Sequence, residues 1–187
     1  MYRHVQWIEE QLDRVLVRHQ ASVGYSTCFW YNVLHSQALF DRSGWFAELQ
    51  SRARQAYPGE LQRAIIAKNY PLLRRNQSSY LHQIELAVRR DDAVAVNHRV
   101  AALLASYFDV LFAINKLPHP GEKRLIPRAK AMGSKLPHEM ELRLTELLAS
   151  ASSPDQDTAA RVHSLLDGLD ELMLRESLVP EERRSAK

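Results

Sequence analysis

Asp92–Lys116 reads DAVAVNHRVAALLASYFDVLFAINK, and this stretch decides the fold class. Ala93, Val94, Val96, Val100, Ala101, Leu103, Leu104, Tyr107, Phe108, Leu111, Phe112 and Ile114 extend over too long a run for a strand. They leave almost no polar side to the helix they predict, and a helix apolar on most sides belongs at the centre of a bundle. Leu117-Pro118-His119-Pro120-Gly121 stops it, because two prolines and a glycine in such close succession do not continue a helix.

Working outward, the flanks read as amphipathic helices that cover this centre. Trp7, Ile8, Leu12, Val15 and Leu16 predict a first helix ending before Ser22-Val23-Gly24. Tyr25 to Leu34 is aromatic-rich and open between helix and strand, and Gln37 to Phe40 reads as a short extended piece closed by the turn Asp41-Arg42-Ser43-Gly44. Helix resumes at Trp45 and again after Tyr57-Pro58-Gly59, is kinked or ended by Pro71, and continues from Leu72 to Arg90. Beyond the proline turn, a short basic helix spans Glu122 to Met132, another runs from Pro137 to Leu148, and a last one starts at Ser153-Pro154-Asp155. The expectation is an all-α bundle of about six to eight helices preceded by a short irregular N-terminal segment.

The composition of the 187 residues, 45% apolar and 25% charged, excludes collagen-like, disulfide-scaffold and wholly disordered classes. No stretch approaches the roughly 20 apolar residues of a membrane helix, so no membrane partner is expected. Glu9, Glu10 and Asp13 stand where a signal peptide would be apolar. Cys28 is the only cysteine, which rules out an internal disulfide and fits a cytoplasmic location. The net charge of +3 is unevenly spread. Residues 116–135 carry 6 basic groups and 1 acidic, whereas residues 136–187 carry 6 and 11. The basic segment reads either as an anion footprint or as a solvated loop balanced by the acidic C-terminal third.

Asp109 and Asn115 are the unusual polar residues of the apolar stretch. A buried carboxylate needs a partner, so Asp109 either lines a pocket or pairs with an arginine. Asn115 either lines the same pocket or caps the helix beside the proline turn. Lys123 and Arg124 are expected in the first turn of the basic helix, where free backbone amides and cationic side chains suit a phosphate or carboxylate.

The eight histidines are scattered, none four residues from another, and no metal site is expected from this chain alone. Cys28, among Phe29, Trp30 and Tyr31, reads as a packed thiol, and no Gly-x-Ser-x-Gly elbow surrounds Ser43. Arg75 followed by His82 resembles the Arg-x(4–6)-His motif of the HEPN ribonucleases, which are also helical bundles. That resemblance implies a metal-independent ribonuclease in which Arg75 stabilises phosphate charge and His82 moves a proton. The bland reading of the pair is two surface residues on a helix, and of the whole chain a plain helical interaction protein.

A second resemblance covers residues 25–150. Val33 to Gly44 followed by Leu49 is similar to the Leu-Tyr-Asp-x-x-Gly turn that closes the catalytic head of small nucleotidyltransferases. Tyr57-Pro58 with Leu61, Arg90-Asp91, and Leu111-Phe112-Ala113-Ile114-Asn115 with Pro120-Gly121-Glu122-Lys123-Arg124 resemble the helical domain that follows such heads. The resemblance implies residues 1–56 as the remnant of a head, 57–178 as the helical domain and 179–187 as a polar tail. The family activity is magnesium-dependent transfer of a nucleotidyl group from a nucleoside triphosphate. Its signature is a Gly-Ser loop and, at a fixed interval, Asp-x-Asp carboxylates on a strand. Here Gly133-Ser134 leads instead to Glu139 and Glu141 in a helical stretch. The resemblance therefore implies a substrate-binding part that is not catalytic alone and binds no cofactor by itself, with magnesium and triphosphate arriving with a separately supplied head. It puts Asp109, Asn115, Lys123 and Arg124 in the substrate or triphosphate cleft, and a surface freed of its head implies a possible homodimer.

Overall fold

The computed structural model describes residues 4–180, the side chain of Ser152 excepted. Among these residues there are nine helices and no strand, so the all-α expectation holds with a finer division. They are α1 (Val5–Leu16), α2 (Cys28–His35), α3 (Trp45–Ala53), α4 (Gly59–Arg74), α5 (Tyr80–Arg89), α6 (Ala93–Ile114), α7 (Leu125–Met132), α8 (Met140–Ser152) and α9 (Thr158–Arg175). No helix is long and apolar enough to cross a membrane among the described residues.

The apolar stretch forms α6, the axis of the bundle. Asp92 starts it by accepting a hydrogen bond from the Ala95 amide at 2.9 Å, the side-chain cap that an aspartate supplies to a free helix end. From Ser106 to Ile114 every residue is buried, which leaves no solvent-facing side over the last two turns. Helices α4, α5 and α8 pack against α6, and α9 lies against α5 and α8. Polar ties fix these neighbours: Gln62 Nε2 donates to the Ala113 carbonyl at 2.9 Å, and Asn97 Nδ2 to the Ala151 carbonyl at 2.8 Å. Arg74 at the end of α4 pairs with Asp167 and Asp170 of α9, while the Tyr70 hydroxyl donates to Asp170 at 2.6 Å.

Helices α1, α2 and α3 form a second group held by tryptophans. Trp30 Nε1 donates to the Ala53 carbonyl at 2.7 Å and Trp45 Nε1 to Glu9 at 2.8 Å, joining α2 and α1 to α3. Leu12, Trp30 and Leu49 of this group belong to the same buried apolar cluster as Leu61, Leu103 and Leu169, so the core is continuous across residues 56–57. Most of the expected tail, residues 181–187, lies outside the described residues.

Tyr25 to Leu34, left open between helix and strand, resolves to helix from Cys28, and Gln37 to Phe40 lies outside any helix ahead of the turn at Arg42-Ser43, with Leu39 and Phe40 exposed in the α2–α3 connection. Three helix bounds are corrected. The expected continuous helix from Leu72 to Arg90 is interrupted. Pro71 lacks the amide hydrogen that α4 needs, the helix closes one turn later at Arg74, and Ser79 opens α5 by accepting from the His82 amide at 3.4 Å. The basic helix starts at Leu125, three residues later than expected, because Arg124 takes a left-handed conformation at φ 55°. Helix α8 likewise starts at Met140, since Glu139 sits at φ 53°.

Candidate functional site

The buried carboxylate of α6 organises the α1–α2 loop at the Ser22-Val23-Gly24 break. Asp109 is 1% exposed and no arginine or lysine among the described residues pairs with it, so the ion-pair alternative is corrected. Its Oδ1 accepts from the Ser26 amide at 3.0 Å, and its Oδ2 accepts from the Ser26 hydroxyl at 2.6 Å and from Asn69 Nδ2 at 3.2 Å. Asn69, fully buried on α4, also accepts from the Gly24 amide at 2.8 Å and donates to the Ser22 carbonyl at 2.9 Å. Two side chains of the central helices thus clamp residues 22–26 from below. Burial without a cation pushes the Asp109 carboxyl up to about 7, against the pull of the Ser26 hydrogen bonds.

Between the two clamped amides the chain makes a turn that most residues avoid. Gly24 stands at φ 68° with Ala105 so close that an added Cβ would lie 3.0 Å from the Ala105 Cβ, and Tyr25 follows at φ 54°. The hydrogen bonds on either side hold Tyr25 in that conformation. Its ring meets the edge of His119, centroids 5.1 Å apart.

His119 packs behind the opposite wall, whose surface is Pro120 and Gly121. It is fully buried between the two prolines that end α6, and its amide donates to Thr27 Oγ1 at 2.7 Å. Its Nδ1 accepts from the Gly121 amide at 3.0 Å and lies 3.3 Å from Cys28 Sγ, while Nε2 has no hydrogen-bond partner among the described residues. Burial holds the imidazole neutral, down to about 4. Burial and the Asp109 charge push the Cys28 thiol up to about 12. The pair is therefore a neutral thiol beside a neutral imidazole, with Cys28 half-buried at the edge of an open cleft, and the thiolate that a nucleophile needs is strongly disfavoured.

Between these walls lies an open cleft of about 490 Å³ lined by Tyr25, Cys28, Tyr31, Asn32, Pro120, Gly121, Glu122, Lys123 and Arg128. Arg128 is fixed by donating to the Pro120 carbonyl at 2.9 Å, and its guanidinium sits 5.6 Å over the Tyr31 ring. Its remaining donors and the Lys123 ammonium give the cleft two cationic groups against one carboxylate, Glu122.

Of the sequence-derived candidates, Lys123 reaches the cleft, Asp109 underpins it, and the other two do not line it. Asn115 caps α6 and is spent on structure: Nδ2 donates to the Leu111 and Lys135 carbonyls at 2.9 and 2.8 Å, and Oδ1 accepts from the Lys135 amide at 2.9 Å. Arg124 is exposed at the α7 cap. Of the alternative pair, Arg75 donates to the Tyr70 hydroxyl at 3.2 Å with its guanidinium 4.9 Å over that ring, and His82 lines an open cleft with Arg74, Asn76 and Glu85.

Sequence reading missed Tyr25, Tyr31 and His119 and held Arg128 only as one charge of the basic segment. It also passed over the Asp-x-Asp spacing at Asp155-Gln156-Asp157. There Asp155 accepts from the Asp157 amide and from Thr158 and Arg161, closing the turn into α9. Among the described residues no group of three or more histidine, cysteine, aspartate or glutamate side chains is placed to hold a metal. In comparisons with protein-family models, with curated proteins and with solved structures, nothing matches this chain.

Proposed function

We propose that this chain is a non-catalytic, ligand-binding helical domain whose cleft takes the phosphate end of a nucleotide, accessory to a nucleotidyltransferase-like head supplied separately. The observation that carries the reading is the convergence of Lys123 and Arg128 with Tyr25 and Tyr31 on one open cleft whose walls are fixed from beneath. Cations placed at the mouth attract a polyanion, a guanidinium offers paired donors to phosphate oxygens, and tyrosine rings give a base a flat apolar surface. Chemistry on the bound nucleotide falls to the head, because the cleft offers neither a thiolate nor a free imidazole lone pair: Gly121 already donates to His119 Nδ1.

Calorimetric titration with ATP tests this. Wild-type protein binds ATP, and Lys123→Ala weakens binding about tenfold by removing one charge-assisted contact. Arg124→Ala, outside the lining, changes the affinity less than about twofold, as expected for a screened exposed charge. Absence of ATP binding by the wild type, or equal affinity in the Lys123 variant, overturns the assignment.

A further inference from the structure

We infer that the cleft is a proton-linked anion site: an anion bound at Lys123 and Arg128 and a proton bound at Asp109 favour one another, so the domain takes up its ligand together with a proton. This rests on the cleft being the ligand site. The geometry supplies both halves of the coupling.

The first half is that Asp109 can gain a proton without the cleft losing its wall. Ser26 Oγ lies 2.6 Å from Asp109 Oδ2, 3.2 Å from the Ser22 carbonyl and 2.9 Å from the Ser22 amide, which donates to it. With the carboxylate ionised, the Ser26 hydroxyl donates to Oδ2. With Oδ2 protonated, the new O–H donates to Ser26 Oγ, and the serine hydrogen turns to the Ser22 carbonyl. The Ser26 amide still donates to Oδ1 and Asn69 Nδ2 still faces Oδ2. Every partner is satisfied in both states, so the loop stays and only the buried charge changes.

The second half is that this charge is felt in the cleft. The Ser26 amide that donates to the carboxylate stands next to Tyr25 and two residues before Cys28, both of which line the cleft. Burial is the main reason that Tyr25, Cys28 and, before α4, Tyr57 hold their protons, and the Asp109 charge adds to it at each of the three. The groups facing Asp109 are otherwise uncharged: Ser26 from the loop and Asn69 from α4. Glu122, Lys123 and Arg128 stand at the mouth, and the nearby His119 is held neutral. No histidine lines the cleft. An ionised Asp109 therefore opposes an incoming anion through a medium of low dielectric, and protonation lifts that opposition, on the order of tenfold in affinity.

The experiment is a pH titration of the Ser26 backbone amide by NMR, without ligand and with saturating ATP. The amide donates directly to the carboxylate and reports its ionisation. Linkage requires the midpoint to rise by about one pH unit when ATP is bound, the counterpart of tenfold coupling. In parallel, ATP binds wild type more weakly as pH rises from about 6 to 8.5, and Asp109→Asn flattens that dependence; ATP's own phosphate titration is common to both proteins and cancels. A midpoint unmoved by bound ATP overturns the coupling and leaves the cleft as the ligand site. Absence of ATP binding overturns the cleft reading and this inference with it. If Asp109→Asn fails to fold, the wild-type amide titration decides alone.

Discussion

Asn69→Ala will lower the free energy of unfolding by about 3–5 kcal/mol, the largest loss expected of any single polar substitution in this protein. Asn69 is fully buried, and its amide is used at both ends: Oδ1 accepts from Gly24, and Nδ2 is shared among the Ser22 and Ile65 carbonyls and Asp109. Alanine leaves the Gly24 amide without an acceptor beneath the loop and takes a donor from a carboxylate that has no cation. Each stranded group costs about 1–3 kcal/mol, more where it is charged, and the vacated side chain adds a cavity. Urea denaturation followed by tryptophan fluorescence measures the loss, with Asn76→Ala in the exposed α4–α5 turn expected to change stability by less than about 0.5 kcal/mol. A loss below about 1 kcal/mol for Asn69→Ala would mean that water replaces the amide, and that the loop is not clamped from α4 at all.

What the sequence discloses about this molecule is mostly what repeats locally. The run from Ala93 to Ile114 shows its helix because apolar residues leave no polar face, and Asp92 and Pro118 mark its limits. The break between α4 and α5 had a signal in Asn76-Gln77-Ser78-Ser79, a polar run ending in a capping serine, but the apolar spacing on either side outweighed it. The start of α7 had none: Gly121 at φ 89° and Arg124 at φ 55° spend the basic stretch on turns, and lysine or arginine in a left-handed conformation leaves no mark in composition. For the site, Asp109 is conspicuous because it interrupts an apolar helix, yet its partners lie 83 and 40 residues away. Periodicity says which face of a helix is buried and nothing about which loop folds over it. Tyr25, Tyr31 and Arg128 are ordinary surface-type residues in the sequence, and they meet only because that loop is fixed.

The same unpaired carboxylate sets the pH dependence of folding. Relative to Asp109→Asn, the wild type will lose about 3–5 kcal/mol of unfolding free energy between about pH 4 and pH 8. In the unfolded chain the carboxyl titrates at its ordinary 3.8; in the folded protein burial raises it to about 7. Between these values the native state holds a proton that the unfolded state has released, so stability declines as pH rises. The contribution of the protonated group is therefore complete below about pH 4 and gone above about pH 7. Asparagine cannot titrate, and the remaining carboxylates and histidines act alike in both proteins, so the difference between the two denaturation series isolates this one group. A difference flat with pH would mean that water reaches Asp109 and that its ionisation is no guide to the cleft above it. A wild type growing more stable with rising pH would require a cation beside the carboxylate, and a cation there would cancel the charge through which Asp109 acts on an anionic ligand.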